Sequence, residues 1–125
     1  MTEQYKATVA ALSRRFPHLF RSDGEYSTPP VWHAVVERLC ERVDAALDDQ
    51  ERQAVKLWKI RIKIAELRVS WIGEVRASTR KKIEKAIRDA VADAAVTCEA
   101  CGKPAKRRRT RDGVVIVSCW KHRGG

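Results

Sequence analysis

Long apolar runs are absent from this chain of 125 residues, and no stretch approaches the roughly 20 apolar residues that a membrane-spanning helix needs. A signal peptide is not indicated either, because residues 1–6 lack a basic segment followed by an apolar one. Internal repeats, low-complexity tracts and flexible linkers are also missing. With 44% hydrophobic and 34% charged residues, the sequence predicts one ordinary domain, or one domain with a small appendage.

Signatures of catalysis are equally scarce. The acidic residues form no recognisable pair, no nucleophile stands beside a base, and no glycine-rich loop is present to cradle a phosphate. We therefore expect a binding protein rather than an enzyme.

Cysteine occurs only four times, yet three of the four fall in one short stretch near the end of the chain. The stretch contains Cys98-x-x-Cys101, then seventeen residues, then Cys119-x-x-His122. Two such pairs at this separation are typical of a zinc ribbon, in which each pair sits on a tight turn and a hairpin joins the turns. The alternative is a set of reduced thiols in a small β-hairpin.

We expect Cys98, Cys101, Cys119 and His122 to bind one Zn²⁺ ion. Because four protein ligands leave no open coordination position, this zinc should be structural rather than catalytic. The fourth cysteine, Cys40, is predicted to be a core thiol. Such cysteine usage suits a reducing compartment, so we expect a cytoplasmic location.

The residues between the two ligand pairs predict the hairpin. Residues 106–110 and 114–118 have the character of strands, and Asp112 and Gly113 between them are a strong turn signal. Residues 114–117 are apolar on both faces of the second strand. We expect one face to pack on the rest of the protein, while the other either packs as well or meets a partner.

Helical periodicity predicts a first helix over about residues 2–20, ending near Pro17. Its apolar residues are Tyr5, Val9, Leu12 and Phe16. Residues 21–30 are predicted to be a loop, because Ser22-Asp23-Gly24 and Pro29-Pro30 both interrupt regular structure.

A second helix is predicted to follow, with Thr28 as its N-cap and both prolines in its first turn. It should run to about Asp49, with Asp48 and Asp49 at its exposed end. Its apolar face consists of Trp32, Val36, Leu39, Cys40, Val43 and Leu47.

The period then changes from helical to alternating, which predicts a half-buried strand over residues 55–64 and a second over residues 67–71. The apolar set is Ile60, Ile62 and Ile64, and the basic set is Lys59, Arg61 and Lys63. We expect a hairpin that turns at residues 65–66, with a basic face outward. One long bent strand is the alternative.

A third helix is predicted over residues 78–96, and it runs directly into Cys98. Its apolar stripe consists of Ile83, Ile87, Ala90, Val91 and Ala94. The predicted fold class is α+β, with two N-terminal helices, a β-hairpin, a third helix and a C-terminal zinc-ribbon hairpin. Residues 1–97 would form the α+β body and residues 98–125 a zinc ribbon packed on it.

Positive charge exceeds negative charge, with a formal net charge of +10. Residues 1–50 carry six basic and eight acidic side chains, residues 51–97 carry twelve and six, and residues 98–125 carry eight and two. The excess therefore lies in the C-terminal two-thirds, which favours a polyanionic partner.

A run of basic residues on the first ribbon strand is the main candidate for binding such a partner. This basic arm consists of Lys106, Arg107, Arg108, Arg109 and Arg111. Such arms neutralise nucleic-acid phosphates, although an acidic protein surface or plain solvation also explains them. Further cations oppose the dipole of the third helix at its start, which favours a functional reason for them: Arg80, Lys81 and Lys85. Trp120 could stack on a base, but we expect it to pack over the metal.

The chain resembles a family of small uncharacterised bacterial and phage proteins that end in a C-E-x-C-G…C-x-x-H zinc ribbon. The matching residues are Trp32, Lys63, Leu67, Arg68, Cys98, Glu99, Cys101, Gly102, Cys119 and His122. The sequence departs from the family before Leu67, where Phe-Gly-Gly is usual and Ile64-Ala65-Glu66 stands here. The resemblance implies the fold and the zinc site, but it implies no activity.

Two hypotheses from different classes account for the basic surface. The first is a non-enzymatic binding protein that contacts nucleic acid or a nucleoprotein. The second is a phage-encoded inhibitor or adaptor of anti-defence type, such as an anti-CRISPR, that acts by binding a host protein. Binding to random DNA and RNA over a range of salt concentrations distinguishes them.

Overall fold

The computed structural model describes residues 10–123, which form an α+β protein. Within this part of the chain the helices are α1 (10–15 as described), α2 (His33–Ala46), α3 (Asp49–Ala54) and α4 (Ala77–Ala95). The strands are β1 (Phe20–Ser27), β2 (Lys56–Lys63), β3 (Glu66–Ile72), β4 (Lys106–Arg109) and β5 (Val115–Ser118). Short 3-10 turns cover Pro30–Trp32 and Trp120–His122. No helix in residues 10–123 has the length and apolar character needed to cross a membrane.

Three strands form one sheet in the order β1-β2-β3, with β2 in the centre. β1 runs parallel to β2, and β3 runs antiparallel to it. A parallel pair needs a crossover connection, which α2 and α3 supply between β1 and β2. The strands β4 and β5 form a separate antiparallel pair. The predicted α+β class is therefore confirmed, although the order of helices and strands differs from the prediction.

Strand β1 occupies most of residues 21–30, where the sequence predicts a loop, so that prediction is wrong. The strand carries a large bulge, because residues 21–24 stand opposite the single residue Trp58. Tyr26 closes the bulge, since its hydroxyl accepts a hydrogen bond from the backbone N–H of Arg21 at 3.0 Å. The turn signal in the sequence thus marks a bulge within a strand.

The two faces of this sheet differ in chemistry because apolar and basic side chains alternate along β2. The inner face packs on the helices and consists of Phe20, Tyr26, Leu57, Ile60, Ile62, Leu67, Val69 and Trp71. The opposite side, which we call the outer face, carries Glu25, Lys59, Arg61, Lys63, Glu66 and Arg68. The predicted basic face of the hairpin is confirmed.

The helices bury the apolar stripes that their sequences predict. Leu12 and Phe16 are buried as expected, whereas Tyr5 and Val9 lie outside the described residues. α1 ends two residues before Pro17. The predicted second stripe is buried throughout: Trp32, Val36, Leu39, Cys40, Val43 and Leu47. α4 begins and ends within one residue of its predicted limits. Of its predicted stripe, Ile83, Ala90 and Ala94 are buried, whereas Ile87 and Val91 are only partly buried.

The predicted second helix is not continuous. It begins with a 3-10 turn after Pro29, and the hydroxyl of the predicted N-cap Thr28 is buried without a hydrogen-bond partner among the described residues. α2 ends at Ala46, and the separate helix α3 starts after Asp48. Asp48 forms a capping box with Glu51, so the acidic pair predicted to end one helix instead begins the next.

The β2–β3 hairpin is confirmed, and the alternative of one long bent strand is wrong. Its turn consists of Ile64 and Ala65, one residue earlier than predicted, with φ of +50° and +60°. Ile64 is 67% exposed, so it does not continue the apolar face as expected. This left-handed turn geometry is the one that Asn and Gly adopt at lower cost.

Residues 98–123, which we call the Cys/His module, pack against the rest of the protein. Val117 of β5 is fully buried, and Val115 packs beside the same core. Just before the module, the carbonyl of Thr97 accepts a hydrogen bond from the indole N–H of Trp32 at 3.0 Å. One face of β5 therefore lies on the body of the protein, while Val114 remains 56% exposed.

Glu51 joins α3 to the start of α4. Its carboxylate accepts hydrogen bonds from the backbone N–H of Arg76 at 3.0 Å, the hydroxyl of Thr79 at 3.1 Å and the backbone N–H of Asp48 at 3.1 Å. These bonds, led by the one from Arg76, lower the pKa of Glu51 from 4.5 to about 2, although burial opposes them. The fold therefore stabilises the ionised form of this side chain.

We expect Glu51→Gln to be less stable than the wild type at neutral pH, and we expect this difference to shrink in acid. Because folding lowers the pKa of Glu51, its contribution is fully present above the unfolded value near 4.5 and is lost as the pH falls toward about 2. Urea unfolding near pH 6, pH 4.5 and pH 3 measures the difference. Comparing the two proteins removes effects common to both. A stability difference that does not change with pH would show that the ionised carboxylate of Glu51 is not what stabilises the fold.

Replacing Ile64 by Asn should raise the free energy of unfolding by about 0.5–1 kcal/mol, because a β-branched residue is strained at positive φ. Urea unfolding provides the measurement. The control is Ile72→Asn, a replacement at a half-exposed strand position with negative φ, where Asn should not stabilise. If the Ile64 variant were equally stable or less stable, the positive φ of Ile64 would not cost the wild type stability that Asn can restore.

Candidate metal centre

The first pair of candidate ligands lies on a tight turn directly after α4. The backbone N–H of Gly102 donates to the carbonyl of Cys98 at 2.8 Å, and the N–H of Cys98 donates to the carbonyl of Lys103 at 2.8 Å. Gly102 has φ of +79°, which confirms the left-handed position that the sequence assigns to it. The N–H of Ala100 points at the sulfur of Cys98 at 3.4 Å. One backbone donor therefore faces the Cys98 sulfur, and two further bonds hold the turn that positions it.

The second pair follows β5 on a 3-10 turn. Cys119 precedes the turn, and the backbone N–H of His122 donates to its carbonyl at 3.1 Å. The predicted hairpin between the pairs is confirmed, with Lys106 opposite Ser118 at its base and Gly113 at φ of +83° in its turn. Antiparallel pairing therefore returns the chain to the first turn.

Glu99 joins the first turn to β5, a contact that the sequence does not predict. Its backbone N–H donates to the carbonyl of Val117 at 3.0 Å, and its carboxylate accepts from the N–H of Val117 at 3.1 Å. Because Val117 is buried in the core, this double contact also fixes the first turn relative to the body of the protein.

The four predicted ligands meet in one cluster. The sulfur atoms of Cys98, Cys101 and Cys119 and a ring nitrogen of His122 all lie within 4.8 Å of one another. The sulfurs of Cys101 and Cys119 are 3.6 Å apart, and Nδ1 of His122 lies 3.2 Å from the sulfur of Cys119 and 3.9 Å from that of Cys98. These residues can hold a metal ion.

The electrostatics of the cluster differ between its thiols. Burial raises the pKa of Cys119, but hydrogen bonds from His122 outweigh burial and lower that pKa to about 6. For Cys101 the backbone N–H of Lys103 lowers the pKa, yet burial and the neighbouring sulfurs give a net increase. Cys40 is separate, and burial in the core raises its pKa to about 12, as expected of a core thiol.

The basic arm lies on and beside β4. Four of its members are exposed: Lys106, Arg107, Arg109 and Arg111. Arg108 is half-buried, and its Nε donates to the carbonyl of Ser118 at 3.2 Å, so this side chain also ties β4 to β5. The arm is therefore exposed to solvent along its length except at Arg108.

Trp120 does not pack over the metal cluster, so that prediction is wrong. Its side chain is 69% exposed, and the guanidinium of Arg123 lies 3.8 Å from its ring centroid. Arg108 approaches the same ring from 5.9 Å. Trp120 thus presents an aromatic surface between two cations at the end of the module.

The predicted cations of the third helix are exposed, but the fold does not bring them to the basic arm. α4 packs on the inner face of the sheet, whereas Arg107 of the basic arm contacts Glu66 on the outer face. Lys85 borders a groove between α2 and α4 and contacts Asp89 at 2.7 Å. Arg80 stands 5.1 Å from the ring of Trp71, and Lys81 is fully solvated on the same helix.

The surface that adjoins the basic arm is the outer face of the sheet. Arg107 forms an ion pair of 3.5 Å with Glu66, which also pairs with Arg68 at 3.2 Å. The sequence indicates this face through the alternation of cations along residues 59–63, but it does not predict a binding role for it. Only the folded chain shows that the arm and the outer face are continuous.

Comparison of the chain with protein-family models, with curated proteins and with solved structures found no match.

We expect Cys101→Ser to lose the bound metal and to loosen the Cys/His module. Metal binding and folding of such a site are coupled, because the ligands converge only in the folded state. Elemental analysis of the purified wild type should give about one metal ion per chain, as expected for one closed four-ligand site. Amide hydrogen exchange should then show faster exchange in residues 98–123 of the variant.

Cys40→Ala is the matched control for the loss of a thiol. Cys40 is fully buried on α2, so its replacement should lower stability through packing while the metal stays bound. A fully folded wild type without metal, or a Cys101 variant with unchanged hydrogen exchange in residues 98–123, would show that the module does not need a metal to fold.

Proposed function

We propose that the metal is zinc and that the Cys/His module is a zinc ribbon. Zinc bonds of about 2.3 Å to sulfur and about 2.0 Å to nitrogen imply tetrahedral edges of about 3.8 Å between sulfurs and about 3.5 Å from sulfur to nitrogen. The observed separations of 3.6 Å between sulfurs and of 3.2 and 3.9 Å from sulfur to nitrogen lie close to these edges. Four protein ligands make this zinc structural, and its role is to hold the hairpin in place.

The protein itself, on this proposal, is a non-enzymatic module that binds nucleic acid or a nucleoprotein. The observation that carries the proposal is the exposed basic arm of the zinc ribbon, whose base lies beside the exposed indole of Trp120, with Arg108 5.9 Å from the ring. Cations neutralise phosphates without regard to sequence, and an exposed indole is a surface on which a base can stack. The resemblance to the bacterial and phage family supports the ribbon in this proposal and adds nothing about the ligand.

We expect the combined variant Lys106→Ala, Arg109→Ala and Arg111→Ala to weaken binding to random DNA and RNA. Each lost phosphate contact should flatten the log–log salt dependence by about 0.7–0.9, so three contacts give about two units. Fluorescence anisotropy with labelled oligonucleotides from low to physiological salt measures both quantities. Zinc content and circular dichroism should stay unchanged, because exposed strand and turn residues tolerate truncation.

The matched control removes three exposed cations elsewhere, Arg14, Arg38 and Arg88, by replacement with Ala. It carries the same change in net charge, so it should retain most of the affinity if the arm makes local contacts. If both variants lose binding equally, net charge alone explains the interaction. A wild type that binds neither DNA nor RNA at low salt sinks the proposal.

Binding to a host protein, as by a phage-encoded inhibitor or adaptor of anti-defence type such as an anti-CRISPR, is the second candidate. The observation that favours it is a groove of about 350 Å³ between α2 and α4. Its floor consists of Ala45, Ala46 and Ala86, and its rim of Arg42, Lys82, Lys85 and Asp89, which pairs with Arg42 and Lys85. Such a groove fits an acidic protein segment better than a nucleic-acid backbone, because its floor is apolar.

A further inference from the structure

The outer face of the sheet is a strongly basic surface, on which Lys63 and Arg68 are exposed and Lys59 and Arg61 are half-buried. Its cations Lys59, Arg61 and Lys63 occupy alternate positions of β2, so they stand about 6.7 Å apart in one row. Arg68 of the neighbouring strand lies opposite Arg61, and Arg107 of the basic arm extends the surface at its end. Five cations therefore share the surface with two carboxylates, Glu25 and Glu66.

The arrangement of these charges opposes stability. Arg61 and Arg68 are direct cross-strand partners, and like charges in that position repel each other. Glu25 relieves part of the repulsion through contacts of 3.3 Å with Arg61 and 3.7 Å with Lys59. Nε of Arg61 is nevertheless buried without an acceptor among the described residues. The cations of this face therefore outnumber the carboxylates that pair with them.

An aromatic side chain lies on the same surface. The register between β2 and β3 shifts between Leu57 and Lys59, so Trp58 is an extra residue in the strand. Such a bulge places Trp58 and Lys59 on the same side, and the Lys59 ammonium stands 4.5 Å from the centroid of the indole ring. The ring is half-buried and does not belong to the hydrophobic core.

We propose that the outer face, together with Arg107, binds single-stranded nucleic acid. The proposal rests on the function proposed above and names the form of the ligand and the surface that receives it. A sheet with a row of cations offers contacts to a flexible phosphate backbone, and Trp58 offers a ring on which an unpaired base can stack. A duplex keeps its bases stacked on one another, so it cannot use the indole in this way.

Removal of two exposed cations tests the electrostatic part of the proposal. We expect Lys63→Thr with Arg68→Thr to bind a labelled oligothymidylate and oligouridylate of about 20 nucleotides more weakly, and to flatten the log–log salt dependence by about 1.4, or 0.7 for each contact. The control is Arg14→Gln with Arg88→Gln, which removes the same charge from the helical side. Threonine suits a strand, so circular dichroism and zinc content should match the wild type.

Replacement of the indole tests the stacking part. Trp58→Ser should lower the affinity for the single strand by at least about fivefold, whereas Trp58→Phe should retain most of it because a ring remains. In the wild type, oligothymidylate should quench tryptophan fluorescence, and this quenching should be reduced in Trp58→Phe. A hairpin duplex of random sequence should bind more weakly than the single strand at the same salt concentration.

The outcomes separate this proposal from the one on which it rests. If the arm variant loses binding while the Lys63 and Arg68 variant and both Trp58 variants bind as the wild type does, the protein binds nucleic acid but the outer face does not. Preference for the duplex, or equal binding of polyglutamate, would also overturn the proposal for this face. No binding of any nucleic acid at low salt would overturn both proposals.

Discussion

The alternation of apolar and basic side chains along β2 governs much of this structure. β2 is the central strand of the sheet, and it carries apolar side chains on one face and basic side chains on the other. Leu57 and Ile60 are fully buried beneath the helices, while Lys59 and Arg61 lie on the other side. A shift of one residue would place the cations in the core, so the register is strongly specified. The requirement to bury one face therefore fixes the basic outer face as its consequence.

Two kinds of contact hold the Cys/His module in place. One attaches its first residues to the body of the protein, and the other joins its two ligand turns. Its own core is small, since Val117 is the fully buried apolar residue of its strands and Val115 is only partly covered. Contacts at its root attach it to the body, where Thr97 accepts the Trp32 indole N–H and Gly102 lies beside Val31. These contacts fix the start of the module, but they do not reach the second ligand turn. The side chains of the Cys/His cluster are what bring that turn beside the first.

Local signals explain what the sequence predicts correctly, and long-range pairing explains most of what it misses. The ligand cluster follows from two short turns and one hairpin, all encoded within 25 consecutive residues. The strand β1 instead depends on a parallel partner 34 to 37 residues away, and its bulge conceals the strand pattern. The capping box of Asp48 and Glu51 is different, because the spacing of an acidic cap and a glutamate three residues later is a local signal for the start of a helix. The sequence therefore contains enough information to predict the start of α3. The exposed Trp120 could not be predicted, since exposure depends on how the module is docked.

The cations on the two sides of the protein differ in how far neighbouring carboxylates neutralise them. On the helical side, Arg38 and Arg42 stand 3.6 and 3.7 Å from the carboxylates of Asp93 and Asp89, and Lys85 also contacts Asp89. On the sheet side, the carboxylates are outnumbered and the excess continues into the basic arm. An approaching polyanion responds to the local field rather than to the number of cations in the chain. The polyanionic ligand proposed above would therefore meet the least neutralised cations on the sheet side and the arm, although α4 carries at least as many basic residues as the outer face.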